Sequence, residues 1–402
     1  VTLLDPKTDN LKYEMEDEDR PAARIKVVGV GGGGSNAVAH MLASGLEGVE
    51  FHVLNTDIQA LRACPVPNKL AIGCKITQGR GAGANPEIGE QAALEDTERI
   101  GEMLHGADMV FVTAGMGSGT GTGAAPVVSG LAKGMDALTV AVVTMPFAFE
   151  GERRLRQAEQ GLAKLAGSVD TVITIPNERL LALAPRGTSI LDAFRMGHDF
   201  LRRTVEDIVE VVTTPGFINR DFSDVRSALV GMGYAVLGTA TARGDNAVIE
   251  AARQAISCPL IEQSGIRGAR NVLLNVTGSA RLGLHEVNEA CQTIRKATGC
   301  NDVQVNFGLA FNESMADAVK VTLIATGFPP REQMEETAGE AAGDQTVWLS
   351  ETEPDTLTPE VAASREPVTA ETKPTNGTPP LPEPEDVNDL DTPAYLRRRL
   401  LH

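Results

Sequence analysis

From residue 25 onward, short apolar runs alternate with stretches whose apolar residues recur every three or four positions. The run Ile25-Lys26-Val27-Val28-Gly29-Val30 predicts a buried strand. A glycine loop follows, then a helix over about 36–44. Further strands are expected at 49–54, 109–114, 138–144 and 169–175. Strands that are apolar on both faces and alternate with helices imply a parallel sheet covered on both sides. Residues 188–212 then predict one long helix, because Leu191, Phe194, His198, Leu201, Val205, Ile208 and Val212 fall at three- and four-residue spacing. Thr213-Thr214-Pro215-Gly216 carries a stop signal. A second region begins near Phe217, with strands expected at 272–277, 302–309 and 320–326.

This pattern divides the chain into a parallel-sheet α/β domain over 25–187, a central helix over 188–214 and a smaller α+β domain over 215–330. Residues 1–24 are polar and acidic and read as a loose arm. Residues 331–388 carry 14 Asp/Glu against 3 Lys/Arg, a net of −11, with 8 of the 22 prolines. That composition cannot bury enough apolar surface to fold, so it predicts a disordered acidic linker. Residues 389–402 regain order-prone side chains and read as a short recognition peptide on a tether.

Charge narrows the chemistry. The formal net charge of −18 argues against a sequence-independent nucleic-acid binder, which needs cations to displace counterions. One nucleotide held by backbone amides remains compatible with it. The cysteines at 64, 74, 258, 291 and 300 are odd in number and form no C-x-x-C pair, so they read as reduced thiols in a cytosol. No apolar run reaches the roughly 20 residues of a membrane span, and residues 1–24 hold no signal-peptide apolar stretch.

Two glycine loops carry the candidate chemistry. The first, Gly29-Val30-Gly31-Gly32-Gly33-Gly34-Ser35-Asn36, follows a strand and opens a helix. Glycine lets backbone N–H groups approach a phosphate, and a helix N-terminus favours the anion. The second, Ala114-Gly115-Met116-Gly117-Ser118-Gly119-Thr120-Gly121-Thr122-Gly123, has the same setting. Its threonines can donate hydroxyls to phosphate oxygens or to water around a metal. Two loops suggest a longer phosphate chain than one pyrophosphate, and no Gly-Lys-Ser/Thr occurs. The competing reading is a nicotinamide-dependent oxidoreductase, with Gly29, Gly31 and Gly34 as its fingerprint and Asp57 on a ribose hydroxyl. The second loop and the lack of a hydride-transfer site weigh against it. A scaffold that binds nucleotide without hydrolysing it is a third reading.

Past the long helix, Asn219-Arg220-Asp221-Phe222-Ser223-Asp224 places two acids three residues apart. In a helical turn both carboxylates face one side. They suit polarising a water or organising a cation, and equally suit a helix N-terminus.

Taken together these residues resemble the FtsZ family, the bacterial relatives of tubulin. Residues 115–123 resemble the family's signature loop and 219–224 its N-x-D-x-x-D synergy loop. Asn55-Thr56-Asp57, Phe149-Glu150-Gly151 and Ile175-Pro176-Asn177 fall where members have them, and Asp391-Thr392-Pro393-Ala394-Tyr395-Leu396-Arg397 resembles the C-terminal recognition peptide. The resemblance implies a tubulin/FtsZ-like fold with a Rossmann-like GTP-binding domain. It implies a cytoplasmic GTPase that polymerises head to tail and forms a contractile ring at the future septum, using GTP/GDP and Mg2+. Gly31, Gly32, Gly33, Gly34, Ser35 and Asn36, with Gly117, Ser118, Gly119, Thr120, Gly121, Thr122 and Gly123, would hold the phosphates. Glu150 and Arg154 would contact the ribose and phosphate region. Asn177 would read the guanine, with Phe194 on its face and His198 at its edge. Asn219, Asp221 and Asp224 would act on the nucleotide of the neighbouring subunit, with Mg2+ held mainly through water and phosphate. Membrane adaptors and division regulators would bind through Asp391, Pro393, Tyr395, Leu396 and Arg397, with no direct membrane insertion and no nucleic acid.

Three positions depart from the family pattern. Ser118 stands where glycine is usual. At positive φ it would be strained, and in an ordinary conformation it adds a hydroxyl near phosphate. His198 stands where Asn or Asp is usual, offering one donor and one acceptor. Arg220 replaces an apolar residue beside the two acids.

Overall fold

The computed structural model describes residues 23–213, 222–258, 261, 265–279, 282–300 and 302–329. The N-terminal arm up to residue 22, Asn219, Arg220 and Asp221, the acidic linker and the recognition peptide lie outside the described residues.

The first half runs β1 (Ile25–Val30), α1 (Gly31–Ala43), β2 (Val49–Asn55), α2 (Ile58–Ala63), β3 (Asn68–Ala71), α3 (Cys74–Thr77), α4 (Pro86–Glu95) and α5 (Thr97–Leu104). It continues with β4 (Met109–Gly115), α6 (Thr120–Gly134), β5 (Leu138–Met145), α7 (Glu152–Ser168), β6 (Thr171–Pro176) and α8 (Asn177–Leu183). The long helix α9 (Ile190–Thr213) follows. Then come α10 (Phe222–Leu229), β7 (Gly233–Arg243), α11 (Ala247–Ile256), β8 (Asn271–Gly278), α12 (Leu284–Thr298), β9 (Gln304–Phe311) and β10 (Ala318–Thr326).

The strands of the described residues form one ten-stranded sheet in the order β3-β2-β1-β4-β5-β6-β7-β10-β8-β9. Pairing is parallel from β3 through β7, antiparallel between β7 and β10 and between β10 and β8, and parallel again between β8 and β9. Side chains alternate across the parallel part, as a period of two requires. In β4, Met109 and Phe111 join a core with Val38 and Met41 of α1 and Leu201, Val205 and Ile208 of α9. Val110, Val112 and Ala114 join the opposite core with Ala124 and Val128 of α6 and Leu162 and Leu165 of α7. The sheet is therefore covered on both faces, as its uniformly apolar strands predict. A third core lies among α11, α12 and β7 to β10.

Two features set up the site. The chain runs outward from β1 through β2 to β3, then returns to the other side of β1 and runs outward through β4, β5 and β6, so the order reverses between β1 and β4. In open α/β sheets, ligands bind at that reversal, outside the carboxyl ends of the strands. Both glycine loops leave their strands there. The second feature is α9, whose 24 residues span about 36 Å at 1.5 Å per residue. Near its start Gly197 lies against Asn177, just past the carboxyl end of β6. At its far end Thr213 lies against Gly48, just before the amino end of β2. The helix thus runs the full depth of the sheet.

Candidate functional site

The two glycine loops form one cradle. Helix α1 begins at Gly31, five residues earlier than the sequence pattern predicts, because the glycine run is itself the first turn. Gly31 takes φ 72°, which favours glycine, and a Cβ there would stand 2.7 Å from the Gly121 nitrogen. A Cβ at Gly33 would stand 3.2 Å from the Gly115 nitrogen, and one at Gly34 would collide with the Thr113 carbonyl oxygen. Backbone therefore packs on backbone between the start of α1 and the end of β4. Gly32 has no neighbour within 4 Å of a Cβ, and Gly32, Gly33 and Asn36 are exposed. They form the open wall where N–H groups at the N-termini of α1 and α6 can meet an anion.

The hydroxyls behave differently from one another. Thr120 shares a 2.6 Å hydrogen bond with Thr56, so its hydroxyl ties α6 to the end of β2. Thr122 packs against Gly161 of α7, and its Oγ1 is buried without a hydrogen bond among the described residues. Ser118 Oγ donates to the Gly115 carbonyl at 2.9 Å. Of the two conformations open to Ser118, the structure shows the unstrained one: positive φ belongs to Gly117, at 81°, and not to Ser118. Ser35 Oγ is buried in α1 without a hydrogen-bond partner among the described residues.

A third wall is not legible as a phosphate loop in the sequence. Residues 79–85 pack on the second glycine loop, so that a Cβ at Gly119 would lie 3.0 Å from Ala82 Cβ and from the Asn85 nitrogen. A Cβ at Gly89 in α4 would come closer still, 2.3 Å from the Gly119 carbonyl oxygen. The available signals were the alternation Gly79, Gly81, Gly83 and the helix start Asn85-Pro86, where Asn85 Oδ1 accepts from the Glu87 N–H at 2.9 Å.

Beside the cradle, the segment after β5 brings Glu150 and Arg154 together. Arg154 pairs with Glu150 at 2.7 Å, and the other Glu150 oxygen accepts from the Phe147 N–H at 2.9 Å. A Cβ at Gly117 would stand 2.6 Å from the Arg154 carbonyl, which puts this pair against the second loop. Next to it lies an aromatic cluster: Phe147 stacks on Phe149 at 4.9 Å and meets Phe194 edge-on at 5.4 Å. Asn177 is 6% exposed, and its Oδ1 makes no hydrogen bond among the described residues. A buried amide oxygen without a donor is costly, and a ligand N–H would satisfy it. His198 follows Gly197 on α9. Burial, and then the neighbouring His40 of α1, hold its pKa below the ordinary histidine value, while Asp199 opposes them. The imidazole is thus neutral near pH 7.

Asp224 does not join this group. It is exposed in the first turn of α10. Two residues on, Arg226 pairs with Asp136 at 2.6 Å, immediately before β5. Glu150 lies shortly after the other end of the same strand. The eight residues of β5 span about 25 Å, so Asp224 and the cradle lie at opposite ends of the sheet.

Between them α9 docks on β10. Asp207, 4% exposed, meets Lys320 Nζ at 2.7 Å, and Glu210 meets it at 2.6 Å. Burial raises the Asp207 pKa against the pull of Lys320. The Lys320 pKa is also raised: burial lowers it, but Asp207 and Glu210 outweigh that. A cavity of about 530 Å³ beside this pair is lined by Phe200, Arg203, Tyr234 and Phe328, and by none of the glycine-loop residues. Among the described residues, no group of three or more His, Cys, Asp or Glu could hold a metal ion. No described helix is long and apolar enough to cross a membrane.

Comparisons with known proteins agree with this architecture. Residues 24–185 match the Tubulin/FtsZ family, GTPase domain, and residues 233–329 match the FtsZ family, C-terminal domain. The chain is 51% identical over 306 residues to the cell division protein FtsZ of Buchnera aphidicola subsp. Schizaphis graminum, covering 76% of this chain and 79% of that protein. Among solved structures it resembles an FtsZ dimer of M. jannaschii, with a TM-score of 0.69 and 38% identity over 76% of this chain and 88% of that one. It also shares the fold of CetZ2 from Haloferax volcanii, solved as a GTPγS-bound protofilament, with a TM-score of 0.67 and 23% identity over 81% of this chain and 100% of that one.

Proposed function

The chain belongs to the FtsZ family of cell division GTPases, and on that premise we propose that it hydrolyses GTP in a site completed only when two copies meet head to tail. The observation that carries this reading is the separation of the two halves. Asp224 lies about 25 Å from the glycine cradle along β5, too far for one copy to serve its own phosphates. A second copy stacked end to end would bring its α10 face onto the first copy's cradle. Contacts of that kind do not close, so they generate filaments.

The face around the cradle suits such a joint. Phe149 is 61% exposed, Ile190 69% and Leu191 59%, which makes an apolar apron beside the site. In the joint, backbone N–H groups of Gly31 to Asn36 and Gly117 to Gly123 hold the phosphates, with Ser118 and Thr120 fixing the loop. Residues 79–85 wall the γ-phosphate side. Glu150 and Arg154 face the ribose. Asn177 Oδ1 accepts from a guanine N–H, Phe194 covers the base, and His198 lies at its edge. From the neighbouring copy, Asn219, Asp221 and Asp224 polarise the attacking water, and the cradle absorbs the charge that develops on the phosphates. Mg2+ would be held mainly through water and phosphate oxygens and would neutralise phosphate charge. The filaments build the division ring in the cytoplasm at the septum. The residues Asp391, Pro393, Tyr395, Leu396 and Arg397 hand them to membrane adaptors and division regulators.

The test is GTP turnover per subunit as protein concentration rises, with Mg2+ and K+ present. Turnover near zero below a threshold concentration and rising above it is the expected result. A per-subunit rate independent of concentration means that one copy carries a complete site.

A further inference from the structure

The hydroxyl of Ser118 is committed inside its own loop. It donates to the Gly115 carbonyl at 2.9 Å, closing the turn Gly115-Met116-Gly117-Ser118, whose third residue, Gly117, has φ 81°. The loop is tied to the sheet where the Met116 N–H donates to the Thr144 carbonyl at 2.9 Å. The start of α6 lies directly over the turn: a Cβ at Gly121 would stand 2.7 Å from the Gly115 oxygen and 2.8 Å from Ser118 Oγ. The same Gly121 nitrogen is the group nearest Gly31. One hydroxyl therefore sits where β4, the turn, the α6 N-terminus and, through Gly121, the α1 N-terminus converge.

We propose that Ser118 is a positioning residue: its hydroxyl staples the second glycine loop into its phosphate-binding shape before nucleotide arrives, rather than touching phosphate itself. The physical argument is entropic. A loop of five glycines between 115 and 123 loses more backbone freedom on ordering than any other kind of loop. A side-chain hydrogen bond made in the free protein removes part of that cost from the binding step. The staple acts on the loop as a whole, so it favours diphosphate and triphosphate equally. This inference rests on the cradle being the GTP site.

Two measurements separate the staple from the site. In nucleotide-free protein, amide hydrogen exchange at residues 116–121 is followed for wild type, Ser118→Ala, Ser118→Gly and Ser118→Thr. The staple predicts faster exchange in the Ala and Gly variants and wild-type exchange in the Thr variant, which keeps the hydroxyl. Below the assembly threshold, GDP and GTP affinities are then measured by titration. The Ala variant is expected to weaken both by about fivefold, the worth of one neutral hydrogen bond, with Thr restoring wild-type values. Above the threshold, KM is expected to rise more than kcat falls. Unchanged exchange in the Ala and Gly variants overturns the staple, and so does a loss of GTP affinity that GDP does not share, because that result assigns the hydroxyl to the γ-phosphate. Faster exchange in a protein whose wild type binds neither nucleotide upholds the staple and overturns the assignment of the site.

Discussion

The two ends of the sheet solve opposite problems. At the carboxyl ends of β1 and β4, the chain removes side chains: Gly31, Gly33 and Gly34 let α1 press backbone against backbone onto β4 and α6. What remains is an anion cradle of N–H groups, beside which Glu150 is paired with Arg154. At the amino ends, the chain keeps its charges: Asp224 stands exposed on α10, with Arg226 bound to Asp136 and Arg24 to Asp108. That end has carboxylates but no cradle. On the reading proposed above, neither end is a whole active site. That reading divides the chemistry along a sheet about 25 Å deep, with α9 as the strut between the halves.

The contrast can be broken at either end. The largest effect is expected from Asp221→Ala or Asp224→Ala, which should lower GTP turnover by about 10²–10⁴-fold while leaving GTP binding by the monomer intact. Loss of binding in these variants would return the acids to the cradle of their own subunit. Next in size is the strut. Lys320→Met leaves Asp207 buried without its cation and should cost about 3 kcal/mol of stability in denaturant unfolding. A shift under about 0.5 kcal/mol would show that α9 and β10 do not depend on the pair. Gly34→Ala puts a methyl into the Thr113 carbonyl and should cost about 2 kcal/mol together with nucleotide binding. Asn177→Ala should weaken GTP by about tenfold and narrow its preference over ATP, measured by competition.

The smallest effect is a pH dependence. The folded His198 pKa lies below its ordinary value of 6.5, so the unfolded chain takes up the proton first. Its contribution to stability is present above about pH 6.5 and falls as pH drops toward the folded value. The groups facing it are His40 from α1 and Asp199 on its own helix. Asp207, with its raised pKa, works in the opposite direction at lower pH. The comparison of wild type with His198→Asn isolates the histidine: the variant should lose less thermal stability between pH 7.5 and 5.5.

Much of the cradle end was legible in the sequence, because its determinants are local. A strand, a glycine run and a helix are neighbours along the chain, and two such units mark the loops that the fold brings together. Glu150, Arg154, Asn177 and Phe194 were named from family resemblance, and the fold brings them to one side of the cradle. Residues 79–85 were missed because their role comes from a contact with Gly119 some 40 residues away. β3, β7 and most of the shorter helices were given no range. In β7, the exposed Tyr234 and Thr241 each sit between a half-buried and a buried neighbour, so neither strict alternation nor a continuous apolar run appears. The start of α1 was placed late because glycine is a poor helix former, and only the packing against β4 makes the run helical. The clamp of Lys320 on Asp207 pairs residues 113 positions apart, which no periodicity reveals.

The most direct test of the divided site is complementation between two inactive chains. One carries Asp221→Ala and Asp224→Ala, with its cradle intact. The other carries Gly34→Ala, with its acids intact. Each alone should hydrolyse GTP at a small fraction of the wild-type rate. Mixed at equal concentration above the assembly threshold, they should recover turnover, because some joints pair a working cradle with working acids. A mixture no more active than the sum of its parts, with both chains shown to co-assemble, would contradict the account.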